Sequence, residues 1–289
     1  MGGKVQTVGV IGGSGLYEMA GLERVERQML STPFGHPSDE LVVGELGGVR
    51  MAFLPRHGRG HRLLPSEVNY RANLFALKAV GCDWVIAVGA VGSLRQEISP
   101  GHLVVPDQFV DRTYRRPSTF FGNGIVAHVA FADPVCPALT RVLIAAAQSI
   151  GVVVHPRGTY LCMEGPQFST RAESHLYRQW GCDVIGMTNL QEAKLAREAE
   201  MCFATLALAT DYDCWHESEA DVVIGDILRI LNQNVATAQH VIAAAVGSLP
   251  TQRSCSCARA LEHAIITDPE RVPSALKLDL RPIIGKYVA

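Results

Sequence analysis

Neither sign of charge dominates this 289-residue chain: 26 basic and 28 acidic residues leave a formal charge of -2, and no like charges run together. It therefore lacks the broad basic field that a nucleic-acid partner would require, and no nucleic-acid partner is expected. No segment reaches the roughly 18 uninterrupted apolar residues of a membrane helix, so no membrane partner is expected either. The start, Met1-Gly2-Gly3-Lys4 and then Val5 to Ile11, offers too short an apolar run for a secretory leader, and Gln6 interrupts it. A cytoplasmic protein is the expectation. No low-complexity tract, internal repeat or linker-like stretch divides the chain. One domain spanning 1–289 follows, large enough for a substantial core. Within it 248–289 reads as a C-terminal extension. Pro250, Pro269, Pro273 and Pro282 bar a long helix there, so it should wrap the surface or a neighbouring subunit.

Paired cysteines are also scarce. Of eight, at positions 82, 136, 162, 182, 202, 214, 255 and 257, only Cys255-Ser256-Cys257 makes a close pair. It could be a redox pair or half a metal site, with His263 six residues on. Zinc sites normally show two spaced ligand pairs, and no second pair exists in the sequence. Reduced or incidental thiols are the expectation, with no metal.

What the chain does have is rhythm. Apolar runs at 5–11, 41–46, 49–55, 83–90, 102–106, 152–163, 182–186 and 202–210 read as strands, and helical periodicity fits 66–80, 137–150, 170–180, 190–200 and 221–247. Strand followed by helix implies an α/β fold, a single domain with a central mixed β-sheet flanked by helices. The Pro/Arg/Phe/Gly-rich stretch 113–123 reads as an irregular loop.

Polar motifs sit where these strands end. Gly12-Gly13-Ser14-Gly15 follows the first, and its backbone N–H groups and Ser14 hydroxyl could cradle phosphate or simply form a tight turn. The dinucleotide fingerprint fails there, because Glu18 stands where a small residue is needed. Arg56-His57-Gly58-Arg59-Gly60-His61 reads as a flexible cationic loop aimed at an oxyanion, with a solvated basic loop as the plain alternative. Glu164-Gly165-Pro166-Gln167-Phe168-Ser169 sets an aromatic beside polar groups, for stacking on a base or for ordinary core. Met187 and Thr188 close a further strand with a thioether and a hydroxyl. After the run from Cys202 to Ala209 come Asp211 and Asp213. Extended chain would point both carboxylates to one side, where mutual repulsion holds a proton. A helix cap is the competing use. Ligands of open α/β sheets gather at such strand ends. Anion donors, an aromatic, a thioether and paired carboxylates together describe phosphate, sugar and purine.

These segments, with Thr32-Pro33-Phe34-Gly35, Val68-Asn69-Tyr70-Arg71-Ala72-Asn73, Asp107-Gln108-Phe109-Val110-Asp111-Arg112-Thr113 and Asp211-Tyr212-Asp213-Cys214-Trp215, resemble the S-methyl-5'-thioadenosine phosphorylases of the trimeric purine nucleoside phosphorylase group, from Gly9 to about Gly247. The resemblance implies phosphorolysis of 5'-methylthioadenosine to adenine and 5-methylthioribose 1-phosphate, with inorganic phosphate as co-substrate and no metal or organic cofactor. It implies a homotrimer with active sites at subunit interfaces. Ser14, Arg56, His57, Gly89, Ala90 and Thr188 would hold phosphate, and Met187 the ribose. Phe168 would pack near the base, with Asp211 and Asp213 at the purine edge as the catalytic pair. Ser169 and Ile224 match specificity positions. His128 resembles the residue lent by a neighbouring subunit to the methylthio pocket, which Ile227 and Leu228 could line. By the same resemblance, to disulfide-bearing archaeal relatives, Cys136 and Cys202 should lie near each other. Two departures stand out: Gly89 offers phosphate only backbone, and Gly186 replaces the Asn of the animal enzymes.

A carboxyl at the purine edge favours adenine, since it can accept from a 6-amino group whereas a 6-oxo group would meet it as a second acceptor. The competing functions are a 6-oxopurine or methylthioinosine phosphorylase and a non-catalytic nucleotide- or phosphate-binding protein. A dehydrogenase is disfavoured by the failed glycine fingerprint.

Overall fold

Strand β1 (Thr7–Gly12) is buried at all six positions. Parallel neighbours flank both its edges, β4 (Val49–Pro55) on one side and β5 (Trp84–Ser93) on the other. A strand so placed has no solvent face, which is why it reads as a continuous apolar run. The computed structural model describes residues 7–216 and 224–288. In it the sheet runs β2 (Leu22–Gln28), β3 (Leu41–Leu46), β4, β1, β5, β10 (Val184–Gly186), β9 (Thr159–Met163), β7 (Gln108–Arg112). A branch leaves β5 through β11 (Cys202–Asp211) to β6 (Leu103–Val104) and β8 (Val154–His155). Pairings of both senses occur, parallel between β1 and β5 and antiparallel between β5 and β10, so the sheet is mixed as expected.

β5 is where the sheet splits. One edge is taken by β11 from Trp84 to Gly92. The other is shared, with β1 pairing Trp84 to Ala87 and β10 pairing Gly92 and Ser93. Between these two partners, residues 88–91 have no strand on that edge among the described residues. Burial follows the split: residues 84–88 are buried, whereas Gly89 and Ala90 are only half-buried.

Alternation along β5 divides the core. Trp84, Ile86 and Val88 join one apolar cluster with residues of α2 (Pro137–Ser149) and α5 (Ile224–Val246). Val85 and Ala87 join another with α1 (Tyr70–Ala79) and α4 (Asn189–Glu198). The tail feeds both clusters, Leu249 and Cys257 the first and most of its buried residues the second. Leu261, Val272, Leu280, Ile284 and Val288 are buried in the second cluster, so the tail, described to residue 288, runs along the surface of its own chain while its apolar side chains complete the core. Two short helices, α6 (Ser274–Asp279) and α7 (Arg281–Ile284), carry part of that tail.

The sequence periodicity found neither β2 nor β7. Both end the sheet path, and β2 exposes five of its seven residues, so it has no apolar face to signal a strand. The expected strand 152–163 is two, β8 and β9, parted at Pro156-Arg157-Gly158. Helix α1 starts later than expected, after Asn69 caps it by accepting from the Ala72 N–H (3.1 Å). Helix α3 (Arg171–Gln179) begins in a reciprocal capping box of Thr170 and Glu173. Residues 113–123 are irregular, as expected. No helix among the described residues is long and apolar enough to cross a membrane.

Candidate active site

The ends of β1 and β4 meet beside the split in β5. The Gly12 carbonyl, closing β1, accepts from the Arg56 N–H just past β4 (2.9 Å). A side chain at Gly12 would strike Leu16 and approach the Val88 carbonyl, so only glycine lets these strands close up. Arg56 is not on a flexible loop. It is buried, and its Nε and Nη2 clasp the Glu192 carboxylate of α4 at 2.5 and 2.9 Å. Nη1 donates to the Val88 carbonyl (2.8 Å) and Nη2 also reaches that of Ile11 (3.4 Å). Burial opposes the charge on Arg56, but Glu192 outweighs it and the guanidinium is held more firmly protonated than usual. The second Nη1 hydrogen remains, and Nη1 lies 3.6 Å from where a Gly89 side chain would begin.

The rest of the expected cationic loop is also committed. Arg59 pairs with Asp39 and Glu40. His61 stacks on His57 with ring centroids 4.3 Å apart. His57 is half-buried, and its Nδ1 donates to the Leu63 carbonyl (2.8 Å). Burial, and then the Arg56 charge, lower its pKa to about 4. At neutral pH the ring is therefore uncharged and Nε2 is an acceptor. Thr188 stands at the amino end of α4, its hydroxyl unused as a helix cap. The helix that presents Glu192 to Arg56 thus begins, with its positive end and Thr188, just past the carboxyl end of β10.

The two acids, carried on β11 along the other edge of β5, both approach Gly92. A side chain at Gly92 of β5 would come within 3.0 Å of Asp211 Oδ1 and 3.4 Å of Asp213 Cβ. Extended spacing does not bring them together, however. The register of β11 shifts between Ala209 and Asp211, and Asp213 has φ of +52°. The chain turns so that the Asp213 N–H donates to Asp211 Oδ1 (2.8 Å), while Thr210 Oγ1 donates to Oδ2 (2.7 Å). This left-handed conformation is unfavourable for aspartate. Asp213 Oδ2 is buried with no hydrogen-bond partner. Burial raises both carboxyl pKa values; at Asp213 the nearby Ser174 and Ser169 hydroxyls, outside close hydrogen-bond geometry with Oδ2, oppose the rise and the Asp211 charge adds to it.

The segment after β9 closes over this end. Phe168 is 48 % exposed, which removes the core alternative and leaves its ring open to a ligand or neighbour. Ser169 is held by its carbonyl, which accepts from the Cys214 thiol (3.3 Å), placing it beside the acid turn. The Met187 sulfur lies 2.5 Å from where a Gly165 side chain would begin. His128 stands apart, exposed and backbone-bonded to Ala264 in the tail (2.9 Å). No hydrogen bond or ring contact among the described residues joins it to the cluster. The side chains of Ser14, Ile224, Ile227 and Leu228 lie outside the described residues. A separate cleft of about 270 Å³, lined by Glu97, Asp107, His155, Arg157 and Asp183 among others, includes none of the expected site residues.

The sequence profile of the phosphorylase superfamily matches residues 7–247. The S-methyl-5'-thioadenosine phosphorylase of Geobacter sulfurreducens is 62% identical, over 98% of this chain and 99% of its own. That of Koribacter versatilis is 56% identical over 97% and 96%. The chain belongs to the S-methyl-5'-thioadenosine phosphorylase family. A methylthioadenosine phosphorylase from an antarctic soil metagenomic library superposes with a TM-score of 0.92 at 48% identity, covering 97% of this chain and 99% of that one. The Schistosoma mansoni enzyme in complex with adenine gives 0.83 at 37%, covering 90% and 96%.

For a member of this family, two residues carry more of the site than their sequence context suggests. Glu192 reads as one polar position of a helix, yet it neutralises Arg56. Arg116 lies in the irregular loop, but its side chain is only 1% exposed. It donates to the carbonyls of Met187 and Glu164 and reaches Ser66, Tyr70 and Gln191, each at 3.3 Å, tying the ends of β9 and β10 together. Glu164 in turn accepts from Ser66 (2.5 Å) and the Tyr114 N–H (2.9 Å). A buried arginine at a strand end does signal a hidden carboxylate, because an unpaired charge there is untenable. Which carboxylate supplies it is not encoded nearby. The Gly186 departure also has a physical reason: a side chain there would overlap the Tyr160 hydroxyl, 1.9 Å away.

Proposed function

We propose that this split in the sheet is where the enzyme carries out phosphate-dependent cleavage of S-methyl-5'-thioadenosine to adenine and 5-methylthio-D-ribose 1-phosphate, a pentosyl transfer of methionine and purine salvage. Breaking the N9–C1' bond builds positive charge on the sugar and negative charge on the purine. Phosphate held at the anion end, by the Gly89 and Ala90 backbone, the remaining Arg56 hydrogen, Thr188 and Ser14, sits beside that cationic carbon and then bonds to it. Neutral His57 accepts from the phosphate hydroxyl through Nε2, leaving the anionic oxygens to the donors. At the other end Asp213 Oδ2, lacking a partner, accepts from the 6-amino group. Asp211, whose raised pKa favours keeping a proton, gives or shares one at N7 as adenine leaves. Met187 lies along the ribose, Phe168 near the base, and Ser169 with Ile224 tunes which nucleoside fits.

This reading rests chiefly on the buried, unpartnered Asp213 oxygen beside a second carboxyl of raised pKa, both against Gly92 and a few residues from the anion end. No metal or organic cofactor enters the chemistry. His128, exposed and away from the cluster, fits a residue lent to a neighbouring subunit's methylthio pocket, which Ile227 and Leu228 would help to line, in a homotrimer. A cytoplasmic setting, with free phosphate and nucleoside as the only small-molecule partners, accords with this role.

The test is release of free base from 5'-methylthioadenosine with and without phosphate, beside adenosine and 5'-methylthioinosine. Phosphate-dependent adenine release, fastest from the methylthio compound, is expected. Hypoxanthine release alone would overturn the assignment of the acid pair. Binding with no product from any of the three would leave only a binding site.

A further inference from the structure

Away from the active site, the fold gathers four thiols from three distant stretches of chain. Cys136 precedes α2 as its capping residue, Cys202 opens β11, and Cys255 and Cys257 lie at the start of a turn in the tail, Ser256–Arg259. Their four sulfurs all lie within 4.8 Å of one another. Cys136 to Cys255 is 3.6 Å and Cys202 to Cys255 is 3.3 Å. Cys136, Cys202 and Cys257 are buried and Cys255 half-buried, within an apolar cluster that includes Leu139, Ala204, Val246 and Leu249. The second ligand pair absent from the sequence is thus assembled by folding, and Cys136 and Cys202 do lie close together. We propose that Cys136, Cys202, Cys255 and Cys257 form a closed tetrahedral site for one structural zinc ion.

The geometry favours a metal over the other uses of these thiols. Zinc–thiolate bonds of about 2.3 Å place the sulfurs of a tetrahedron about 3.8 Å apart, within the spread found here. Cys255 approaches both Cys136 and Cys202, and all four sulfurs lie within one 4.8 Å cluster rather than standing as two separate pairs. A set made wholly of sulfur selects a soft or borderline ion and rejects magnesium and calcium. Binding releases four protons to solvent and leaves the centre with a charge of -2. The N-terminus of α2, whose first N–H groups have no partners within the helix, faces that charge at Cys136. Because the ligands converge only in the folded chain, the ion would fasten the tail to the beginnings of α2 and β11 and stabilise the native state.

Metal content, thiol count and intact mass of the full chain purified under reducing conditions test this. One zinc per chain is expected, removable by a strong chelator, with eight thiols titrating once the protein is denatured without metal. Cobalt added to the zinc-free protein should give the intense sulfur-to-metal and ligand-field absorption of a tetrahedral all-thiolate site. A Cys255→Ser/Cys257→Ser chain should lose the ion and melt at lower temperature, and its melting should no longer respond to zinc. Fully reduced, folded protein that takes up neither zinc nor cobalt would overturn the proposal. So would two disulfides, seen as a mass deficit, that persist when the protein is made and kept under reductant. Retention of zinc by the double variant would place the ion elsewhere and overturn it too. If that variant does not fold, the cobalt spectrum of the unaltered chain decides alone.

Discussion

The two ends of the proposed active site are built on opposite plans. At the anion end the polar groups are held in place by internal partners, Arg56 by Glu192 and two carbonyls and His57 by Leu63, with one Arg56 hydrogen and His57 Nε2 left to face outward. At the base end Asp213 keeps a left-handed backbone and a buried oxygen without a partner. Leaving a buried carboxylate oxygen unbonded costs about 1–3 kcal/mol or more, a penalty that a purine amino group would relieve on binding. Phosphate, charged and strongly hydrated, demands rigid donors set before it arrives. The base needs a site that rejects the wrong hydrogen-bond pattern, and an unsatisfied acceptor does so by staying unsatisfied when a 6-oxopurine enters. One end is preorganised by internal pairing, the other by an internal deficit.

The sharpest way to break this contrast is to spoil the pairing. Glu192→Gln leaves the Arg56 charge buried with half its partner gone. Such loss of one member of a buried ion pair costs about 3–5 kcal/mol, so the urea unfolding midpoint should fall steeply. Phosphate should then recover more stability in the variant than in the unaltered chain, because it supplies the missing anion. A variant as stable as its parent, and no more responsive to phosphate, would mean that the anion end is not held by this pair.

The chemistry of the base end is tested at Asp211, the carboxyl beside that deficit. Asp211→Asn keeps the shape but cannot supply the N7 proton. Turnover of methylthioadenosine should fall by about 10²–10⁴-fold, the usual worth of positioned acid–base help. Stability and the KM for phosphate should change little, since Arg56, His57 and Thr188 are untouched. Inosine-type substrates could gain where adenine nucleosides lose. Adenine release at the original rate would remove Asp211 from the chemistry.

This asymmetry also explains what could be read from the sequence. The strand ends were legible because a buried strand must be apolar and can become polar only where it stops, which marks Gly12, Arg56, Met187 and Asp211. The central strands were legible for the same reason, whereas β2, polar on both faces at one end of the sheet, was not. Partnerships were not legible. Glu192 lies 136 residues from Arg56 and Arg116 lies 71 from Met187, and no local pattern announces either. The same holds for Cys136 and Cys202, which complete a cluster around Cys255 and Cys257 only because β11 begins beside α2. For the acid pair, the residues and their closeness were legible but the means was not. A turn at Asp213, rather than extended pleating, brings the carboxyls together.

The mildest probe concerns pH and again separates the ends. His57 has its folded-state pKa lowered to about 4 from an ordinary 6.5, by burial first and the Arg56 charge second. The fold therefore favours the neutral ring, and protonation favours unfolding. Its contribution to stability is complete above pH 6.5 and is lost as pH falls toward 4. The carboxyls at the base end are shifted the other way. Raised by burial, Asp211 and Asp213 favour the fold while protonated, so that contribution is present in acid and lost as pH rises through their folded values. Unfolding midpoints of the parent and of His57→Asn should be measured from neutral pH to pH 4. The parent should lose more stability than the variant over that interval, because only the parent has an imidazole to protonate. Parallel curves would show that His57 is not held neutral by its surroundings, and would remove the ground for Nε2 as acceptor of the phosphate hydroxyl.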